Sequence, residues 1–467
     1  MRKDGDCHTH MFNAGFVPIK GIAMSRGFDE ASADALATFF EQEVEKDWPG
    51  ATKPKELSSS DTERLELYEM LGNELVETKS PRTPTKLIAD VVSLIPEQDI
   101  DSLRVGLRRI RDKLVGTGTS ARITDRELLR QLLTRAHKDL GTIETGPPSS
   151  GSRSVSPWSL LRWLLHLLVH ESRIEAASRH FFRQPPNLEF RVHHMMDMER
   201  HYPSERVLYD REERETRMLA LANKSPRLIG FVAFCPFRED GLKIVSDAIT
   251  AGFSGVKFYP PNGYRPIGNT ESDLPNGPAP EVVNRRNRDL FELCADTDMD
   301  VPIFTHCNPG GMEARKKTGL FSDPAGWERV LADPALVDLR LCFGHAGGQD
   351  SWLTGTFESF QESWAGNIVG LCTYPNVYCE FGYFDGILSK KGLKRFADRL
   401  ESVVLKYPYF ATKCCFGSDW HLIEKESRSS QYAQIFASML ENNSNLQPHR
   451  DAIMGGNLRT FLKLPPN

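Results

Sequence analysis

Short apolar runs rich in β-branched and aromatic residues recur along the chain, most regularly after residue 188, and amphipathic stretches separate them. The runs predict strands over residues 4–10, 188–196, 227–237, 252–259, 301–306, 339–345, 377–384 and 414–419. Apolar positions at three- and four-residue spacing predict helices over 211–223, 242–251, 287–297, 327–332 and 393–404. Strands alternating with helices imply parallel βαβ units, and eight such units point to an α/β fold, the (β/α)8 TIM barrel. A doubly wound open sheet is disfavoured, because no Gly-x-Gly-x-x-Gly turn follows the first strand.

The first two strands are separated by residues 15–183, far too long for a βα connection. The reading is a large, mainly helical insertion over 28–183, set on the face where strand-to-helix loops emerge. The barrel then comprises 1–27 and 184–467, with a C-terminal helix. Residues 29–80 hold 14 Asp/Glu against 5 Lys/Arg, and residues 101–140 hold 10 Lys/Arg against 5 Asp/Glu. These runs read either as solvated helical faces or as surfaces that pair between subunits or recruit a protein partner. Residues 145–157 (TGPPSSGSRSVSP) read as a flexible loop. Residues 159–182 read as a long helix with one half apolar nearly all round, suited to burial against the barrel or another subunit. A homo-oligomer is expected.

Composition narrows the class. With 467 residues, 40% hydrophobic and 26% charged, the chain has ample material for a core, and disorder is excluded as its main theme. A net charge of −5 argues against a general nucleic-acid coat. The longest apolar stretch, residues 160–169, is interrupted by Arg162 and His166 and falls well short of the ~20 residues of a membrane span. Nine cysteines with no Cys-x-x-Cys spacing read as small buried residues of a reducing compartment. Residues 1–7 carry no apolar signal region, so a cytoplasmic location is expected.

Polar residues stand where several apolar strands run out. His8 and His10 share one strand face by the two-residue period. His306 closes Val-Pro-Ile-Phe-Thr-His, His345 closes Leu-Cys-Phe-Gly-His, and Asp419 closes Cys-Phe-Gly-Ser-Asp. In a barrel these positions form the C-terminal rim, where catalytic residues gather. Three imidazoles and a carboxylate from different strands suit Zn²⁺ or a related first-row ion such as Mn²⁺, Fe²⁺ or Co²⁺, with a position left for water. No Gly-x-Ser-x-Gly elbow occurs, and Cys414 and Cys415 read as strand core, so serine and thiol nucleophiles are disfavoured.

These residues, in order and spacing, resemble the amidohydrolase superfamily, specifically the amidohydrolase-related TIM-barrel metal-dependent hydrolases that include aminocarboxymuconate-semialdehyde decarboxylase. The carriers are Asp6-Cys-His-Thr-His, Gly252-Phe-Ser-Gly-Val-Lys-Phe-Tyr-Pro-Pro, Thr305-His306, Gly344-His345-Ala-Gly-Gly, Gly417-Ser-Asp-Trp and the closing Ile453-Met-Gly-Gly-Asn-Leu-Arg-Thr-Phe-Leu. The resemblance covers 1–15 and about 188–467, and leaves 16–187 unmatched. It implies that His8, His10, His306 and Asp419 hold one metal ion, or share two. Asp419 would move the proton, and His345 would orient the water or polarise the substrate.

The resemblance leaves Lys257, in the fourth expected strand, open between a carbamylated bridge between two ions and an unmodified inward lysine that binds a substrate anion or packs beneath the site. Arg265, in the loop after the fourth strand, is a candidate clamp for a substrate carboxylate, with Tyr259 or Tyr264 lining the pocket. His421, two positions after Asp419, is a further substrate-binding candidate, with Glu380, His194 and Asp197 as weaker ones. The expected activity is metal-dependent hydrolysis of a C–N, C–O or lactone bond in a small polar substrate. A non-oxidative decarboxylase of the same fold and a barrel subunit of a larger assembly are the alternatives.

Overall fold

The structure is a computed structural model, and it describes residues 4–10, 18–25, separate positions within 30–38 and 124–134, 188–198, and 228–464 except 276, 424, 425 and 427. The eight expected strands are present: β1 (Asp4–Thr9), β2 (Leu188–His194), β3 (Leu228–Phe234), β4 (Gly255–Phe258), β5 (Ile303–His306), β6 (Leu341–Gly344), β7 (Val377–Glu380) and β8 (Cys414–Cys415). They form one sheet in the order β1 to β8, every neighbouring pair parallel. Main-chain bonds from Cys7 N–H to the Phe416 carbonyl (3.0 Å) and from Asp419 N–H to the His8 carbonyl (2.7 Å) bring the last strand back to the first. The result is a nearly closed TIM barrel.

The two-residue period divides the strands between two environments. Val256, Phe258, Ile303, Leu341, Phe343, Val377, Cys379 and Cys414 point outward and pack in one continuous core with the surrounding helices. Phe190, Val192, Phe231, Phe304, Cys342, Tyr378 and Cys415 fill the barrel interior, closed from below by Leu458 and Phe461 of the C-terminal helix Asn457–Phe461. A one-residue slip in any strand would exchange the two sets, so burial on both faces fixes register. The inward set then continues up each strand into the polar rim: Phe304 is followed two positions on by His306, and Tyr378 by Glu380.

Strands end earlier than the apolar pattern predicts. The fourth covers Gly255–Phe258 instead of 252–259, the seventh stops at Glu380 instead of 384, and the eighth keeps only Cys414–Cys415. Apolar residues continue beyond these limits as buried turns, which hydropathy alone does not separate from strand. The helix expected at 287–297 is Pro280–Ala295. Its first turns carry few apolar residues, but Pro280 stands at its start, and Val283, Asn287, Leu290, Phe291 and Cys294 form its buried stripe. The helix expected at 393–404 is Lys390–Lys406, capped by the Ser389 hydroxyl accepting the Gly392 N–H at 3.0 Å.

Nine cysteines are buried and none forms a disulfide. Among the described residues no helix is long and apolar enough to cross a membrane. The expected helices at 211–223 and 159–182, the loop at 145–157 and most of the expected insertion at 28–183 lie outside the described residues. Within that stretch, Ala33, Ala37 and Leu128, among the described positions, pack into the outer core.

Candidate active site

Four imidazoles and a carboxylate meet where β1, β5, β6 and β8 end. His8 and His10 come from β1 and the residue just past it, His306 from the last position of β5, His345 from the turn after β6, and Asp419 from the turn after β8. His8, His10, Lys257, Tyr259, His306, His345 and Asp419 all line one cavity. The polar rim therefore converges as the strand endings predict.

Each imidazole has one ring nitrogen committed outside the cavity. His8 Nδ1 is 2.8 Å from Glu380 Oε1, His10 Nδ1 2.8 Å from the His194 carbonyl, His306 Nε2 3.0 Å from the Gly310 carbonyl, and His345 Nδ1 2.9 Å from the Gly382 carbonyl. A carbonyl oxygen only accepts, so these nitrogens of His10, His306 and His345 carry the proton. Glu380 Oε1 already accepts the His345 backbone N–H at 2.8 Å, and His8 donates to it too. Every remaining ring nitrogen is then a lone-pair acceptor. They face one another in two pairs, His8 Nε2 to His10 Nε2 and His306 Nδ1 to His345 Nε2, each 3.1 Å apart.

Acceptors that face acceptors need a cation between them. Asp419 Oδ1 adds a carboxylate 3.6 Å from His10 Nε2 and 3.9 Å from His8 Nε2. Burial keeps three of the rings neutral: it drives His8 and His306 well below the usual imidazole range and His345 down to about 4. Neutral imidazole is the form that binds metal. His8, His10 and Asp419 form one group compact enough for an ion, and His8, His345 and Glu380 another, among the described residues. By donor chemistry, the set fits a first-row divalent cation.

The backbone is bent sharply to present these groups. His345 and Asp419 are left-handed, at φ 60° and 49°, as is Tyr383 at φ 55°. Such conformations cost non-glycine residues on the order of 1–3 kcal/mol and persist where the surroundings enforce them. Here the Asp419 N–H is tied to the His8 carbonyl, and the His345 N–H to Glu380. Gly417 leaves room for Glu380: a Cβ at that position would lie 2.0 Å from Glu380 Oε2.

Lys257 Nζ and Glu380 Oε2, both buried in the inner shell, have no hydrogen-bond partner among the described residues. Burial pulls the Lys257 ammonium down to about 8, against the attraction of Asp419 and Glu380. It lifts the Glu380 carboxyl to about 8, against the stabilising His345 N–H. Glu380, a weaker candidate from sequence, is thus the group that holds His8 from behind.

The remaining candidates divide between the cavity and its surroundings. Arg265 does not line the cavity. It pairs with Asp273 at 3.2 Å and stacks on Phe321 at 4.1 Å, because the turn Pro260–Asn262 carries the chain away from the mouth. Tyr264 is buried elsewhere, donating to the Phe234 carbonyl at 3.0 Å. Tyr259 is in the cavity wall, its hydroxyl accepting the Met312 N–H at 2.8 Å. His194 supports from below, donating to the Cys7 carbonyl at 2.9 Å, and Asp197 pairs with Arg238. His421 lies in the short helix Trp420–Ile423, with its side chain outside the described residues. Burial pushes the Cys414 and Cys415 thiols well up, as inert core residues require.

Sequence reasoning missed Met196, Asn308, Gly311, Met312, Tyr383 and Leu422, which complete the lining. The only signal for them was the Pro-Gly-Gly turn after His306. Gly311 there is at φ 123°, and a Cβ on it would come within 3.0 Å of His306 Nε2.

A family model described as amidohydrolase matches residues 172–464, which include His306, His345 and Asp419. No curated protein matches the chain. Among solved structures it is similar to an amidohydrolase from Burkholderia multivorans with bound HEPES, at 13% identity over 62% of this chain and 88% of that one, with a TM-score of 0.41. A zinc-bound crystal form of the Burkholderia protein gives 13% identity, 62% and 88% coverage, and a TM-score of 0.40. The IDCase of Metarhizium anisopliae in apo form gives 14% identity, 71% and 85% coverage, and a TM-score of 0.37. With well over half its length matched by the family model, the chain belongs to the amidohydrolase family and is an enzyme of amidohydrolase type, with a metal-dependent hydrolase-type function.

Proposed function

We propose that this enzyme hydrolyses a C–N, C–O or lactone bond of a small polar substrate, with a divalent ion, Zn²⁺ by preference, held by His8, His10, His306 and Asp419. The observation that carries the reading is the set of imidazole lone pairs turned toward one another beside a carboxylate. When bound, such an ion supplies Lewis acidity toward a substrate oxygen and acidifies water to near neutral pH. The rest is done by the chain. Asp419, fixed by its backbone bond to His8, takes a proton from the attacking water and returns it to the leaving group. His345, its Nδ1–H anchored on Gly382, presents a neutral Nε2 that orients the water. Glu380 keeps His8 in the tautomer whose lone pair faces the cavity.

Elemental analysis of the purified protein beside Asp419→Asn tests this, together with hydrolysis of a panel of amides, esters and lactones. About one equivalent of zinc or manganese, reduced in the variant, supports the assignment. Two equivalents would recruit the His306–His345 pair to a second ion. No metal after reconstitution would overturn the reading.

A further inference from the structure

We propose that Lys257 forms an anion subsite in the wall of this cavity, and that the substrate carries a carboxylate, away from the reacting bond, that pairs with its ammonium. The inference rests on reading the cavity as the hydrolytic site and names the class of substrate it takes.

The placement follows from β4. Its two-residue period sends Val256 and Phe258 outward into the core and Lys257 inward, where it is 1% exposed and lines the cavity. Nζ lies 4.3 Å from the centre of the Phe304 ring and 5.9 Å from that of Tyr259. Ring faces attract a cation but accept no ordinary hydrogen bond, so the three N–H donors reach no acceptor among the described residues. A buried ammonium without such partners is costly, and packing alone would be served by methionine or leucine.

Neither nearby carboxylate is within hydrogen-bond reach of the Lys257 ammonium among the described residues. Glu380 Oε1 accepts from both His8 and the His345 backbone, and Asp419 stands with His8 and His10. With a divalent ion in place, the ion and Lys257 together outweigh two ionised carboxylates by one positive charge, so the complementary ligand is an anion. Lys257 is the only lysine or arginine among the described residues lining the cavity, since Arg265 is engaged with Asp273. One ammonium balances the single charge of a carboxylate, whereas a phosphate monoester carries close to two. Met196, Met312 and Leu422 line the same cavity and suit a short hydrocarbon body.

The test is calorimetric titration of the full-length, zinc-reconstituted protein with malonate, succinate and glutarate, each beside its neutral diamide. Wild type, Lys257→Met and Lys257→Arg are compared, with metal content measured for each. At least one diacid should bind wild type about tenfold or more tightly than its diamide. That preference should vanish in Lys257→Met, persist in part in Lys257→Arg, and leave the metal content unchanged. A wild type without diacid preference, or a preference that survives in Lys257→Met, overturns the subsite. Loss of a metal equivalent in Lys257→Met also overturns it, because the lysine then belongs to the metal centre. If wild type binds no metal, the hydrolase reading and the subsite that rests on it fail together, whereas a metal-bound wild type without diacid preference sinks the subsite alone.

Discussion

Replacing Lys257 with methionine should stabilise the metal-free protein. Burial holds the Lys257 ammonium at about 8 against an ordinary value of 10.5, so the native state binds that proton more weakly than the unfolded chain does. At 1.36 kcal/mol per pH unit, the difference is an order-of-magnitude penalty of about 3 kcal/mol, present in full below pH 8. Between pH 8 and 10.5 the unfolded chain keeps the proton and the native state has released it. Stability therefore rises with pH across that window, and the penalty is gone above it. Methionine keeps the unbranched length without the charge. Urea unfolding of chelator-treated wild type and Lys257→Met at pH 7 should show the variant more stable, by up to about 3 kcal/mol. The gap should shrink as pH is raised from 8 to 10.5. A variant less stable by more than about 1 kcal/mol at pH 7, or a gap independent of pH, would refute the argument that an uncompensated charge is buried there.

Three further outcomes follow from the same geometry. Glu380→Ala removes the acceptor behind His8 and should weaken zinc affinity roughly 10–100-fold in chelator competition, while Glu380→Gln, which keeps an acceptor, should retain most of it. Equal affinity in Glu380→Ala and wild type would remove Glu380 from the metal centre. Gly417→Ala drives a Cβ into Glu380 Oε2 and should cost about 1–3 kcal/mol by thermal unfolding, with weaker metal binding; an unchanged melting temperature would contradict the close packing around that carboxylate. Arg265→Ala breaks a half-exposed pair with Asp273 and should cost no more than ~1 kcal/mol, leaving diacid binding untouched; a large loss of binding would return Arg265 to the site.

The sequence alone determined the barrel and the metal-site candidates, for a shared physical reason. In a closed parallel barrel, burial on both faces writes apolar runs that end in polar residues at the C-terminal rim, and period two sets which residues face inward. His8, His10, His306, His345 and Asp419 were legible because each ends such a run. The roles of Arg265, Tyr264 and Glu380 were not. Arg265 and Tyr264 follow β4 in sequence, but the turn at Pro260–Asn262 directs them away from the mouth, and no local pattern encodes that direction. Glu380 stands 372 positions from His8, and only closure of the barrel brings them to 2.8 Å. Lys257 shows the same division: its inward direction is written in β4, whereas the lack of a hydrogen-bond partner for its ammonium among the described residues depends on where seven other strands place their side chains. Tertiary structure decides such matters because hydrogen-bond partnership and desolvation are set by neighbours distant in the chain.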